Sequence, residues 1–355
     1  MRRSLRPLMA TALTMVALTC SAPLASPAAA AAGTAAPLRA THLGTLGGTW
    51  SIARGINDHG HVVGDSALKS GLSHAFLWKN GKMTDLGTLG GQSSFASDID
   101  DDGRVVGCSE LASGEWSPFL WENGRMTDLD AHGAPGFCGA DVARGHVIAT
   151  YAPSPGFTEQ RAFLLSGGVR TVIDRRPGVT AAAVNDRGQV VGADNYTASD
   201  TGSPLPTYRA YLWHDGTGRE LGTLGGPSSP SSINNLGQVV GNSDTTDGRR
   251  RGFFWDGSAM TALPLPADAS DYAGADAVND SGQIVGSYSK AGEVYGFAAL
   301  WAGPTALPRR LPLPTDVRVN SSQAFDISNR GWIVGFIDYY WNTGLGTQAV
   351  IWRGE

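Results

Sequence analysis

Short apolar runs, set off by glycine-bearing polar turns, recur along most of the chain. The clearest begins the segment Ile56-Asn57-Asp58-His59-Gly60-His61-Val62-Val63-Gly64. Related segments start at Ile99, Val184, Ile233, Val278 and Ile327, with a worn copy, Val142 to Thr150, in third place. A second apolar run follows each of them. It reads Ala75-Phe76-Leu77-Trp78 in the first copy and ends at Trp121, Leu165, Trp213, Trp255, Trp301 and Trp352 in the others. In the best copies it continues through Asn80-Gly81 into Met83-Thr84-Asp85-Leu86-Gly87-Thr88-Leu89-Gly90-Gly91.

Each repeat reads as four short strands. Asn-Asp-x-Gly is a tight turn in which glycine takes a positive φ, and Asn-Gly between apolar runs is a strong hairpin signal. The second and third strands are apolar at successive positions, as in strands buried on both faces. Small residues (Ala53, Ala96, Gly139, Ala181, Pro230, Ala275, Ala324) mark the first strand, where inner strands would crowd. No segment carries a helical period with caps. The pattern predicts an all-β fold: a seven-bladed β-propeller of four-stranded blades. The last unit ends after its third strand, while residues 40–46 resemble a spare fourth strand. Pairing these residues with the strand at Ala349–Trp352 is expected to close the ring and remove exposed edges.

Residues 1–32 have the organisation of a secretory signal peptide: Arg2, Arg3 and Arg6, an apolar stretch from Leu8 to Cys20, then small residues with Ala-x-Ala sites. The Arg2-Arg3 pair has a twin-arginine look. Residues 33–39 read as a flexible linker and 40–355 as the propeller, so the expected protein is secreted, with no membrane span. The formal charge of the full chain is −5, and removal of three leader arginines makes the exported part more acidic. That argues against nucleic acid as a partner. A monomer is expected. Glycine is the compositional outlier, at 48 of 355 residues, and it recurs at fixed repeat positions.

The Ile-Asn-Asp-x-Gly-x-Val-Val-Gly segments, the His74-Ala75-Phe76-Leu77-Trp78 run and the Thr-Asp-Leu-Gly-Thr-Leu-Gly-Gly that follows resemble the extracellular HAF repeat family of bacteria. The resemblance covers nearly all of the chain after its leader, although only the first copy keeps the histidine. Strand order and glycine placement are also similar to the kelch propeller. The resemblance implies export and a repeat fold. It implies no reaction, because it brings no catalytic motif to these positions.

The search for chemistry is mostly negative. Asp98-Ile99-Asp100-Asp101-Asp102-Gly103 opens like an EF-hand loop, but Ser109 stands where the closing glutamate belongs. At most a weak surface calcium site is expected there, and no cofactor. Gly-Thr-Leu-Gly-Gly reads as a connector between blades. No zinc spacing, nucleophile elbow or phosphate loop occurs. Cys108 and Cys138 fall, by repeat phase, at neighbouring strand ends of adjacent blades and are a candidate disulfide. Asp98, Asp141, Asp276 and Asp326 lie on first strands near the expected axis, where they would either satisfy backbone donors or form a site.

The variable loops between second and third strands carry Trp116, Tyr196, Tyr208, Tyr288, Tyr295, Tyr339, Tyr340 and Trp341. Variable loops on a rigid scaffold favour binding, and exposed aromatics stack on sugars or anchor proteins. The expectation is therefore a secreted non-enzymatic module that binds an extracellular polysaccharide or surface protein. The alternative is an exported propeller enzyme, of lyase or glycoside hydrolase type, with its site at the central channel.

Overall fold

The computed structural model describes residues 37–129, 140–151, 161–173, 178–196, 207–315, 318–341 and 344–354. Among them are strands and turns but no helix. Residues Ala36–Glu355 form one compact unit. The expected signal peptide lies outside the described residues. The expected linker is described only from residue 37, and its last residue, Arg39, already belongs to a strand.

Each repeat unit folds into an antiparallel four-stranded sheet. The first comprises β2 (Gly47–Ile56), β3 (Val62–Leu68), β4 (Ser73–Lys79) and β5 (Lys82–Asp85), in that order. The second repeats it with β6 (Gly90–Ile99), β7 (Val105–Leu111), β8 (Trp116–Glu122) and β9 (Arg125–Asp128). The third is β10 (Ala140–Ala143), β11 (His146–Tyr151), β12 (Arg161–Ser166) and β13 (Val169–Val172). The fourth is β14 (Thr180–Val184), β15 (Val190–Tyr196), β16 (Thr207–His214) and β17 (Thr217–Gly222). The fifth holds β18 (Gly225–Ile233), β19 (Val239–Thr245), β20 (Arg250–Trp255) and β21 (Met260–Ala262). The sixth holds β22 (Ala269–Val278), β23 (Ile284–Lys290), β24 (Phe297–Trp301) and β25 (Arg309–Arg310). A parallel bridge between Arg250 and Tyr272 joins the fifth and sixth into one sheet. The last unit supplies β26 (Val319–Ile327), β27 (Ile333–Trp341) and β28 (Gly344–Arg353), and its fourth strand is β1 (Arg39–His42) from the other end of the chain. Ala40 pairs with Trp352 and His42 with Val350.

The first strands hold a feature the repeat pattern did not announce. Ala53 pairs with Gly64 and Gly55 with Val63, which leaves Arg54 as the extra residue of a β-bulge. The same irregularity falls at Ser97, Ala182, Ser231, Asp276 and Phe325. A bulge bends the strand and re-aims its side chains. It also drives the first strand's backbone against the second: a Cβ on Gly64 would lie 1.9 Å from the Ile52 carbonyl oxygen, and one on Gly335 would lie 1.9 Å from that of Gln323. The third unit has no bulge, since Ala140, Asp141 and Val142 pair in step with Ala149, Ile148 and Val147. There the glycine's place is held by Ala149.

The Gly-Thr-Leu-Gly-Gly segments are more than connectors. Gly47, Gly90 and Gly225 open the first strands β2, β6 and β18 with φ of 105°, 108° and 132°, a region other residues avoid.

Apolar faces of neighbouring units are buried against one another. Val63, Phe76 and Trp78 of the first unit, like Val105, Val106 and Phe119 of the second, are almost fully enclosed. Full burial of such a side chain contributes about 1.5–3 kcal/mol. Buried serines stitch the seams. Ser51 Oγ donates to Gly44 O at 2.7 Å and accepts from Ala349 N at 3.0 Å. Ser94 does the same with Gly87 O and Ala75 N. The Trp301 and Trp352 indoles, buried at the third strands, donate to Pro264 O and Pro312 O. These tryptophans are structural, as their place in the repeat suggests.

Candidate active site

A cavity of about 590 Å³ is lined by the first-strand ends and following turns of all seven repeat units. Two layers of side chains face it.

The outer layer comes from the turns. Asn57 Oδ1 accepts from His59 N and His61 N and so folds its own turn. Its amide reaches across the seam to Asp100 O. Asn185, Asn234 and Asn279 repeat the reach to Asn234 O, Asn279 O and Ser328 O. One residue further, Asp58 N donates to Asp101 Oδ1, Asp186 N to Asn235 Oδ1, Asn235 N to Asp280 Oδ1 and Asp280 N to Asn329 Oδ1. Asn329 N then donates to Asp58 Oδ1 at 2.7 Å, linking the last unit to the first. The third unit interrupts this series with Arg144, at φ 47°, whose Nε stands 3.8 Å from Asp186 Oδ2.

The inner layer is asymmetric. The residue just before each turn's Ile or Val is Gly55, Asp98, Asp141, Ala183, Ser232, Ala277 and Asp326 in chain order. The three aspartates therefore cluster on one arc of the cavity, around Gly55. A Cβ on Gly55 would lie 2.8 Å from Asp98 Oδ1, so the missing side chain makes room for the carboxyl. Each aspartate accepts a backbone N–H from the next unit: Asp326 from Ile56 at 2.8 Å, Asp98 from Val142 at 3.1 Å and Asp141 from Val184 at 2.7 Å. The side chains of Asp98 and Asp141 are also hydrogen-bonded to each other. Two carboxyls can do this only by sharing a proton.

Their surroundings hold that proton in place. All three residues keep some contact with the cavity but lie deep in the protein, and desolvation raises each carboxyl above its ordinary range. Asp141 is pushed up well beyond it, by desolvation first and by the neighbouring Asp98 second. Asp326 is pushed up to about 7, again by desolvation first and by Asp98 second. Asp276, a bulge residue on another part of the wall, is also raised to about 7 by desolvation, although the Gln323 side-chain amide donates to it and opposes the shift. Such a group of neutral and ionised carboxyls in one cavity is the material of general acid–base catalysis.

The sequence singled out all four aspartates but not their grouping. Alignment of the repeats on the residue before each turn would have exposed the arc. Arg54 and Phe325, which line the same cavity, were not anticipated because the bulges that aim them leave no mark in the apolar pattern.

The expected binding aromatics divide. Trp116, Tyr208 and Tyr295 are exposed, and Trp116 stacks on Phe95 at 5.7 Å. Tyr288 and Tyr339 are not available: Tyr288 is buried beneath the Arg310 guanidinium, and the buried Tyr339 hydroxyl bonds His42 Nε2 at 2.7 Å. The side chains of Tyr196, Tyr340 and Trp341 lie outside the described ones. At the EF-hand-like loop, Asp100 and Asp102 both bind the Arg104 guanidinium. Among the described residues no group of three or more His, Cys, Asp or Glu is arranged to hold a metal ion. No helix among them is long and apolar enough to cross a membrane. His74, the family-like histidine, bonds Asp85 at 2.9 Å and does not reach the cavity wall. Cys108 is buried and disulfide-bonded; the expected partner, Cys138, lies outside the described residues.

No protein-family model and no curated protein matches the chain. Solved structures do. The β-propeller domain of the Trilobed protease from Pyrococcus furiosus aligns with 86% of this chain and 96% of its own, at TM-score 0.57 and 10% identity. The uncomplexed acylaminoacyl peptidase of Pyrococcus horikoshii gives TM-score 0.57 at 12% identity, over 86% of this chain and 52% of that one. A prolyl endopeptidase gives 0.54 at 12% identity, over 85% and 50%. This chain is an all-β protein with the fold of a β-propeller. It spans about half the length of the two peptidases.

These neighbours also correct the functional expectation. A non-enzymatic module for a polysaccharide or surface protein was expected from the loop aromatics, whereas the propellers this chain is similar to belong to peptidases. The alternative, an enzyme-type propeller with its site at the channel, is the better supported reading.

Proposed function

We propose that the chain is an exported hydrolase-type propeller whose reacting groups are the channel carboxyls Asp98, Asp141 and Asp326. The observation that carries this is the hydrogen-bonded Asp98–Asp141 pair facing the cavity. With one proton between them, one carboxyl donates to the leaving group of the scissile linkage while its ionised partner takes a proton from water. Asp326, raised to about 7, is a second proton store on the same arc. The peptidase activity named for the structural neighbours supports a hydrolytic reaction. The signal-like leader and the HAF-type repeats support export.

The cavity belongs to a ring of seven blades in this reading. The pairing of β1 with β28 and the bond from Asn329 to Asp58 support a closed ring. Closure matters for the chemistry, because it fixes Asp326 of the last blade beside Asp98 of the second.

The test is turnover by the purified protein of two panels, one of chromogenic glycosides and one of peptide amides and esters, followed by D98N, D141N and D276N. A substrate should be cleaved. D98N and D141N should each lower kcat by about 10²–10⁴-fold, the usual contribution of a general acid or base. D276N, outside the arc, should retain activity within a few-fold. Wild-type protein inert on both panels, or D98N and D141N as active as wild type, would refute the proposal.

A further inference from the structure

The Asp98–Asp141 pair straddles the seam between the second and third units, and that seam is built unlike the others. Among the described residues its core buries only Val106, Val142 and Val147, with Leu120, Leu129 and Leu165 partly covered. The seam between the first two units, by comparison, encloses Val63, Ala75, Leu86, Ala96, Ile99, Val105 and Phe119. The outer layer is weaker here as well. Elsewhere an Asn, Asp or Arg side chain crosses from turn to turn, but the third turn, Ala143-Arg144-Gly145, is shorter and has no such asparagine. What meets it from the second unit is the Arg104 guanidinium, which lies against Gly145. The one bond across this seam from the carboxyl arc is Val142 N to Asp98 Oδ2, at 3.1 Å.

Cys108 belongs to this seam. It stands on β7, which touches β10 of the third unit, and it is fully enclosed and disulfide-bonded. The chain has three cysteines, and Cys138 is two residues ahead of Ala140, where β10 begins. We propose that a Cys108–Cys138 disulfide is the clamp of this seam, and that its reduction loosens the third unit and separates Asp98 from Asp141, switching the channel site off. A dithiol reductant supplies the two electrons and two protons: the S–S bond breaks, two thiols form, and the dithiol closes to its own disulfide. Oxidation restores the clamp. The regulatory consequence rests on the catalytic reading above, whereas the loosening of the seam does not.

The experiment is hydrogen exchange on the full exported protein, oxidised and then treated with dithiothreitol, alongside a Cys108→Ser, Cys138→Ser double variant. Peptide mapping of the oxidised sample should recover Cys108 linked to Cys138. Reduction and the double variant should each speed exchange of the Val142 and Val184 amides at least tenfold, with Val278 and Ile56 at the better-built seams unchanged. Reoxidation should restore protection in the reduced sample but not in the double variant. Cys108 found linked to Cys20, or no change at Val142, or an equal change at every seam, would overturn the proposal. Loosening at Val142 in a protein that hydrolyses neither panel would uphold the clamp and refute only the catalytic reading.

Discussion

Gly64 is held by geometry, not by flexibility. The bulge at Arg54 pushes the Ile52 carbonyl into the space where a side chain on Gly64 would begin. A carbonyl fixed in a sheet cannot swing aside, so Gly64→Ala should destabilise the protein by about 3 kcal/mol, as overpacking does. Denaturant unfolding checks this. Ala149→Gly, in the unit without the bulge, should cost less than about 1 kcal/mol by the same measurement, because only a buried methyl and some chain entropy are at stake. The carboxyls carry a second residue-scale prediction. Asp276 is raised from 3.8 to about 7, so the folded state keeps a proton the unfolded chain has lost. Between those values the folded state binds more protons, and stability falls as pH rises. The contribution is complete below pH 3.8 and gone above about 7. Asp276→Asn, which holds no titrating proton, should flatten that part of the stability curve while leaving the slope due to Asp326. Thermal unfolding across this range is the check, and an unchanged slope would mean that Asp276 is ionised in the folded protein.

The strands were readable in the sequence wherever they are apolar on both faces. The Val-Val-Gly and Phe-Leu-Trp runs give β3 and β4 in the first unit and their counterparts in later ones, and Asn80 and Asn123 take positive φ in the hairpins where Asn-Gly pairs stand. The first strands were read too short. Their polar Gly-Gly-x-Ser beginnings look like turn sequence, and only the pairing with the second strand shows them to be strand. The bulges were unreadable for a related reason: an inserted residue changes the register, not the composition. The loop aromatics misled because exposure was inferred from position. Tyr339 continues β27 inward to His42 instead of reaching solvent. At this scale β1 offers a test. It covers Val350 and Trp352, both fully enclosed, and Leu43 N bonds Ala349 O. Removal of residues up to 43 should expose that edge and promote self-association, which sedimentation velocity would detect as oligomers absent from the full exported form.

Across the whole molecule, seven similar units produce a dissimilar centre. The repeat supplies the cavity, the asparagine turns and the backbone donors, while departures from the repeat supply the chemistry: Gly55 opens space, and Asp98, Asp141 and Asp326 fill one arc where Ala183 and Ala277 stand elsewhere. Fold and site were thus legible to different degrees. Periodicity exposes what the units share, and a site made of what they do not share becomes visible only when they are superposed. The disulfide belongs to this scale too. With a closed loop of about 30 residues, its loss in Cys108→Ser should cost about 3 kcal/mol in denaturant unfolding.

The central claim is that Asp98 and Asp141 share one proton in the channel. The direct measurement is a pH titration of the aspartate side-chain carboxyl carbons by NMR, with D98N and D141N used for assignment. The account predicts that the pair titrates in separated steps, with at least one proton retained well above the ordinary carboxylate range, and that either variant collapses the separation. Both carboxyls ionising together below about pH 5, as unperturbed aspartates do, would contradict it.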